Sequence, residues 1–201
     1  MAKKTGLFDL ETNFAFYGAY HSNPINIFIH ILFVWPLVFT SLMFLYFTPS
    51  IYDLSEIGLV GHHGLLLVNF GFLFTLVYAL FYMCLDIKAG SLAALLCFAC
   101  WVGASFVSSG LGYSLAWKVV LAAQLFCWTG QFLGHGVFEK RAPALLDNLT
   151  QAFLMAPFFV ILELLEKAFG YEPYSGFHAK VKAKVAKDIK EWQEKKQKKS
   201  I

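Results

Sequence analysis

The chain has 201 residues, of which 58% are hydrophobic, 18% aromatic and only 14% charged, with 22 phenylalanines and a formal net charge of +3. A soluble domain carries about 25% charged residues, so this composition excludes a disordered chain, a nucleic-acid-binding module and most soluble enzymes. It points to a protein embedded in a lipid bilayer.

The charges are also spaced to leave room for spans. No Asp, Glu, Lys or Arg occurs between Glu11 and Asp53, between Glu56 and Asp86, or between Lys88 and Lys118. Each gap accommodates the roughly 20 apolar residues of a transmembrane helix. The opening MAKKTGLFDLETN is polar and does not read as a secretory signal. Residues 7–20 are read as a short amphipathic segment at the membrane surface or across helix ends. Asn23-Pro24 then reads as an N-cap followed by proline at the first helical position. The first span is expected over about 25–46, with Pro36 as a potential kink. The second is expected over about 64–85, ending at Asp86-Ile87-Lys88. The third fits about 89–108, before the turn-forming SSGLGYS, and the fourth about 115–136.

The last apolar stretch differs. Only fifteen uncharged residues separate Asp147 from Glu163, and Pro157 is among them. Such a run suits a re-entrant or interfacial helix better than a full crossing. Topology agrees: with Lys3-Lys4 cytosolic, four spans return the chain to the cytosol at Lys140-Arg141, where the basic C-terminal segment also belongs. From Ala179 to Ile201, nine lysines face three acidic residues, a net of +6. The expected fold is therefore an all-α, polytopic membrane bundle of about four spans plus one shallow helix. Residues 1–175 are expected to form a single integral membrane domain and 176–201 a Lys-rich cytosolic tail. That tail is either a solvated helix or a contact for anionic lipid. Lys198 and Lys199 stand fourth and third from the C-terminus, matching a dilysine address for the endoplasmic reticulum, with both termini cytosolic.

Ionisable groups at membrane depth are functional candidates by default. There are six histidines. His62 and His63 fall at the far membrane face and His178 in the tail. His21, His30 and His135 gather at the cytosolic face, where Glu139 lies one helical turn beyond His135. Three imidazoles and a carboxylate make a mixed N/O metal site suited to iron or to zinc. The same residues also read as packing or interfacial histidines, so spacing alone leaves the choice open. Lys140 and Arg141 border the group as ligands for an acidic head group or as topological markers. Asn148 reads as an N-cap. Cys84, Cys97, Cys100 and Cys127 all lie in apolar segments, and the Cys97/Cys100 pair reads as packing rather than metal or redox chemistry. The histidine clusters of membrane di-iron desaturases, Gly-rich phosphate loops and C-x-x-C-H haem sites are absent from the sequence. A non-enzymatic scaffold or lipid-binding protein is the main alternative. A cytochrome with His30 and His135 as axial ligands is the third.

Two long motifs narrow this field. FYGAYHSNPINIFIH (Phe16 to His30) and GQFLGHGVFEKRAPALLDN (Gly130 to Asn148) resemble the 2-hydroxy fatty acid dioxygenases of the endoplasmic reticulum membrane, over about Leu7 to Phe169. The resemblance implies an Fe2+-dependent enzyme that uses O2 to shorten a 2-hydroxy fatty acid by one carbon, in fatty acid α-oxidation and phytosphingosine breakdown. It implies His21, His30 and His135 as metal ligands; Glu139 also falls in the motif, and its spacing from His135 is what assigns it as a catalytic group beside them. It also draws in Asn23, Pro24, Arg141, Pro143, Asp147 and Asn148. On this reading Lys140, Arg141 and Asn23 bind substrate, and Asp147 and Asn148 stand behind the ligands. Oligomeric state is left open.

Overall fold

The computed structural model describes residues 6–58, 64–146 and 148–199. Lys3-Lys4, His62-His63, Asp147 and the last two residues lie outside them. The described chain is all-helical apart from a two-residue antiparallel pair, β1 (Tyr52–Asp53) with β2 (Leu67–Val68). Seven α-helices are described: α1 (Leu10–Tyr20), α2 (Pro24–Leu45), α3 (Phe70–Leu85), α4 (Ile87–Leu111), α5 (Tyr113–Leu133), α6 (Ala156–Phe169) and α7 (Phe177–Lys199). Of these, α2 and α4 are long and apolar enough to cross a membrane. Helix α3 has 16 residues, and α5 is interrupted by Lys118, Gln124 and Gln131.

Most helix ends are set locally. Asp9 accepts from Thr12 N, Asn69 from Phe72 N and Asp86 from Ala89 N, each a side-chain cap for otherwise unpaired amides. Asn23 Oδ1 accepts from Ile25 N at 2.9 Å, with Pro24 at the first helical position, as the sequence predicts. Pro36 sits inside an unbroken α2, where the Thr40 hydroxyl donates to its carbonyl at 2.8 Å. The expected turn near SSGLGYS narrows to Gly112, whose φ of +66° disfavours any residue with a Cβ.

The chain divides into two compact units, Ile31–Gln131 and Met1–His30 with Phe132–Ile201. The first holds the apolar core of Val38, Leu42, Met43, Trp101, Ala104 and Val120. In it α3 packs tightly on α4 at Gly90, where an added Cβ would collide with the Tyr82 carbonyl. The second unit is built on α1, which is largely buried. Helix α7 lies along it. Its apolar stripe, Phe177, Val181, Val185 and Trp192, recurs at helical spacing, and Gly18 of α1 leaves room for Val185. Helix α6 packs Phe158, Phe159 and Leu162, all fully buried, into the same unit. Phe14 of α1 joins the two, with ring centroids 5.4 Å from Phe159 and 5.8 Å from Phe177.

Candidate metal centre

The polar residues of the second unit are held by contacts across long sequence separations. Helix α1 ends at His21, whose backbone amide closes on Gly18 O. Its ring Nδ1 lies 2.8 Å from Tyr17 O, and the ring stacks on Tyr17 with centroids 4.0 Å apart. His30, in α2, repeats the device: its Nδ1 lies 2.9 Å from the carbonyl of Asn26, again four residues earlier. A carbonyl can only accept, so Nδ1 carries the proton in both rings and Nε2 is left as a lone-pair donor. Burial, reinforced by the neighbouring His30 and His135, holds the His21 imidazole well below its usual pKa, which keeps the ring neutral with its Nε2 lone pair unprotonated.

His135 arrives from elsewhere. The chain leaves α5 into a π-helical turn, Gly134–Glu139, which is tightly seated because a Cβ on Gly134 would strike Asn26 Oδ1. The three histidines converge. Ring centroids lie 4.4 Å apart for His21–His30, 4.8 Å for His21–His135 and 4.9 Å for His30–His135, and one nitrogen from each falls within 4.8 Å of the others. All three face one another edge-on, with interplanar angles of 81°, 72° and 77°. Nδ1 of His135 and Nε2 of His21 are buried with no hydrogen-bond partner among the described residues. An unpaired buried polar atom is costly, and two within one imidazole trio match what a metal ion would satisfy. Neutral imidazoles suit zinc, iron or copper, so the donor set fits a transition metal.

The other predicted residues separate by role. Glu139 directs its carboxylate at the turn between α1 and α2: Oε1 accepts from Ser22 N at 3.0 Å, and Oε2 from Asn23 N at 3.0 Å and Asn26 Nδ2 at 3.1 Å. The expectation of one face shared with His135 assumed an α-helix, whereas a π turn bonds i to i+5 and rotates the later residues. Lys140 is exposed and left-handed, with φ +55°, which reverses the chain after Glu139. Arg141 is partly buried, donating to Ala19 O at 2.8 Å and to Asp188 at 3.2 Å, with its guanidinium 3.6 Å from the centre of the Tyr20 ring. Asn23 Oδ1 makes the capping bond at the start of α2, and its backbone amide donates to Glu139. Asn148 Oδ1 accepts from Gln151 N at 3.1 Å, just ahead of the helical residues Leu149 and Thr150 that lead into the π turn Gln151–Met155. Asp147 lies outside the described residues. His178 is engaged by Glu166 and Tyr171 O in its own segment. The four cysteines are free thiols.

Three supporting residues escaped sequence reasoning. Tyr17 and Asn26 each precede a histidine by four positions, the spacing at which a helical carbonyl meets an imidazole, and that spacing was there to be read. Glu163, which accepts from the Tyr17 hydroxyl at 3.3 Å, is 146 residues away and carried no local signal.

Residues 7–168 match the family model described as 2-hydroxy-palmitic acid dioxygenase Mpo1-like. The chain belongs to that family. It is also 34% identical over 184 residues to the 2-hydroxy-palmitic acid dioxygenase MPO1 of Saccharomyces cerevisiae (strain ATCC 204508 / S288c), covering 92% of this chain and 91% of the relative. No solved structure matches. The family match spans all three converging histidines and the Glu139 turn, and it ends before α7 begins.

Proposed function

We propose that this chain is an Fe2+-dependent dioxygenase that converts a 2-hydroxy fatty acid to the fatty acid one carbon shorter. The observation that carries the reading is the buried convergence of His21, His30 and His135, with two ring nitrogens unpaired, in a member of a family described as dioxygenases. Those three residues would hold the metal, which supplies O2 binding and electron transfer when present. The overall reaction balances without a second organic reductant. A 2-hydroxy acid and O2 give the shortened acid, CO2 and water, a four-electron oxidation matched by the four electrons that O2 accepts.

The protein's own groups prepare that chemistry. The Tyr17 and Asn26 carbonyls fix the tautomers and orientations of His21 and His30, the supporting role that usually falls to residues behind metal-ligating imidazoles. The Tyr17 ring covers one face of His21 and limits water. Glu139 draws the α1–α2 turn and the His135 turn together. Lys140, exposed beside them, is the cation we assign to the substrate carboxylate; Arg141 is committed to Ala19 and Asp188.

We further read α2 to α5 as four membrane spans, with both termini cytosolic in the endoplasmic reticulum and the acyl chain solvated among apolar helices. Helix α3 supports this. At 16 residues it is about 24 Å long, short for a bilayer core of about 30 Å, yet Phe70, Leu73, Val77 and Leu80 form one exposed apolar stripe along it. Such a face is stable against lipid.

The test is direct. Purified protein with Fe2+, O2 and 2-hydroxypalmitate should yield the fifteen-carbon acid, and an iron-chelated control should not. His21→Ala, His30→Ala and His135→Ala should each abolish product. Full turnover in any one of them removes that histidine from the site, and stoichiometric zinc without iron-dependent turnover rejects the redox reaction.

A further inference from the structure

Arg141 occupies an unusual place. Its backbone amide donates to the carbonyl of His135 at 3.3 Å, and its side chain donates to Ala19 O, two residues before His21. One residue therefore grips the segments carrying two of the three converging histidines. The last turn of α1 has no basic side chain of its own, so this guanidinium also satisfies an orphan carbonyl and the negative end of that helix. Its side chain is only 10% exposed. A buried guanidinium holds one position only if its donors and faces are occupied.

The occupants come from α7. Asp188 Oδ1 accepts from both terminal nitrogens, at 3.3 and 3.2 Å, and the Trp192 ring lies 5.3 Å from the guanidinium, which rests on Tyr20. Asp188 and Trp192 are four residues apart, so both reach Arg141 from one face of α7. Both lie beyond residues 7–168, the part that matches the family model.

We propose that Asp188 and Trp192 are positioning residues for the metal centre: α7 seats Arg141, and Arg141 holds the ends of the His21 and His135 segments in register. This rests on the three-histidine metal reading. It makes the C-terminal helix part of the site's scaffold, in addition to any role as a basic tail. A planar guanidinium is required for simultaneous stacking and hydrogen bonding, so lysine at 141 does not substitute.

Metal binding tests it without turnover. The full chain in detergent micelles is titrated with Co2+, and the affinity and the visible ligand-field spectrum are read below the melting temperature of every variant, with helicity checked by circular dichroism. Asp188→Asn and Trp192→Ala should each bind Co2+ about tenfold more weakly with a shifted spectrum, the scale of supporting residues around metal ligands. Asp188→Glu and Trp192→Phe should recover most of the affinity. Val181→Ala loosens the same α1–α7 seam away from Arg141 and should stay within about twofold of the parent. Parent-like affinity and spectrum in Asp188→Asn and Trp192→Ala overturn the proposal while leaving the metal reading intact. An equal loss in Val181→Ala also overturns it, by reducing α7 to general support. A parent chain that binds no Co2+ removes the metal reading and this proposal together.

Discussion

The two units of the molecule use polar side chains in opposite ways. In Ile31–Gln131 they mostly bond within their own helix: Thr75 to Gly71 O, Ser105 to Trp101 O, Thr40 to Pro36 O. Gln124 is the chief exception, reaching Thr40, Ser41 and the Leu37 carbonyl. In Met1–His30 with Phe132–Ile201 several bonds join residues more than a hundred positions apart: Glu139 to Ser22, Arg141 to Ala19, Gln151 to Asn13, Tyr17 to Glu163. An apolar unit gains position from close packing and needs only to silence its hydroxyls. A unit that must aim three imidazoles needs directional bonds, because apolar contact fixes distance more firmly than orientation.

This contrast can be broken by experiment. Glu139→Ala strips the acceptor from three donors at the α1–α2 turn and should weaken Co2+ binding about 100-fold, the upper range for groups that orient metal ligands; Gln124→Leu should leave Co2+ affinity unchanged. An unaltered Glu139→Ala titration would show that the turn holds itself. Glycines sharpen the comparison. Gly90→Ala forces a Cβ onto the Tyr82 backbone and should cost about 2 kcal/mol in chemical denaturation. Gly136→Ala, in the turn that carries His135 but with nothing within 4 Å, should be neutral or stabilise by about 0.5 kcal/mol. Gln124→Leu should destabilise by about 1 kcal/mol, the modest net worth of an intramolecular hydrogen bond. The smallest effect concerns Glu11, whose carboxyl is held below its usual range by the hydrogen bond from Lys184. A lowered folded pKa contributes stability above the unfolded value and loses it as pH falls through the folded one. The melting-temperature difference between parent and Glu11→Gln should therefore be present at neutral pH and shrink as pH falls below the ordinary glutamate value of about 4.3.

Much of this design was legible beforehand. Charge-free intervals marked the long apolar helices, observed at Pro24–Leu45 and Ile87–Leu111, and Asn23-Pro24 marked the start of one to the residue. His21, His30 and His135 stood out because an imidazole beside an apolar run needs a reason. Glu139 stood out for a wrong geometric reason: its spacing from His135 assumed an α-helical turn, and the π turn sends its carboxylate to backbone amides. The tail read as a solvated or lipid-facing segment on net charge alone. Its lysines hide a stripe of Phe177, Val181, Val185 and Trp192 that lies along α1, and Lys184 pairs with Glu11 at 2.7 Å.

By itself the sequence determined the helical character, the apolar intervals and which histidines were candidates, since these follow from hydropathy, capping chemistry and the cost of burying a titratable group. Only the tertiary structure decided that the three rings meet, that Glu139 braces a turn, and that Arg141 is seated by α7. Those outcomes depend on the directions of side chains brought together from distant parts of the chain, 47 residues apart for Arg141 and Asp188 and 117 for Ser22 and Glu139, and no local pattern encodes a direction between segments that meet only after folding.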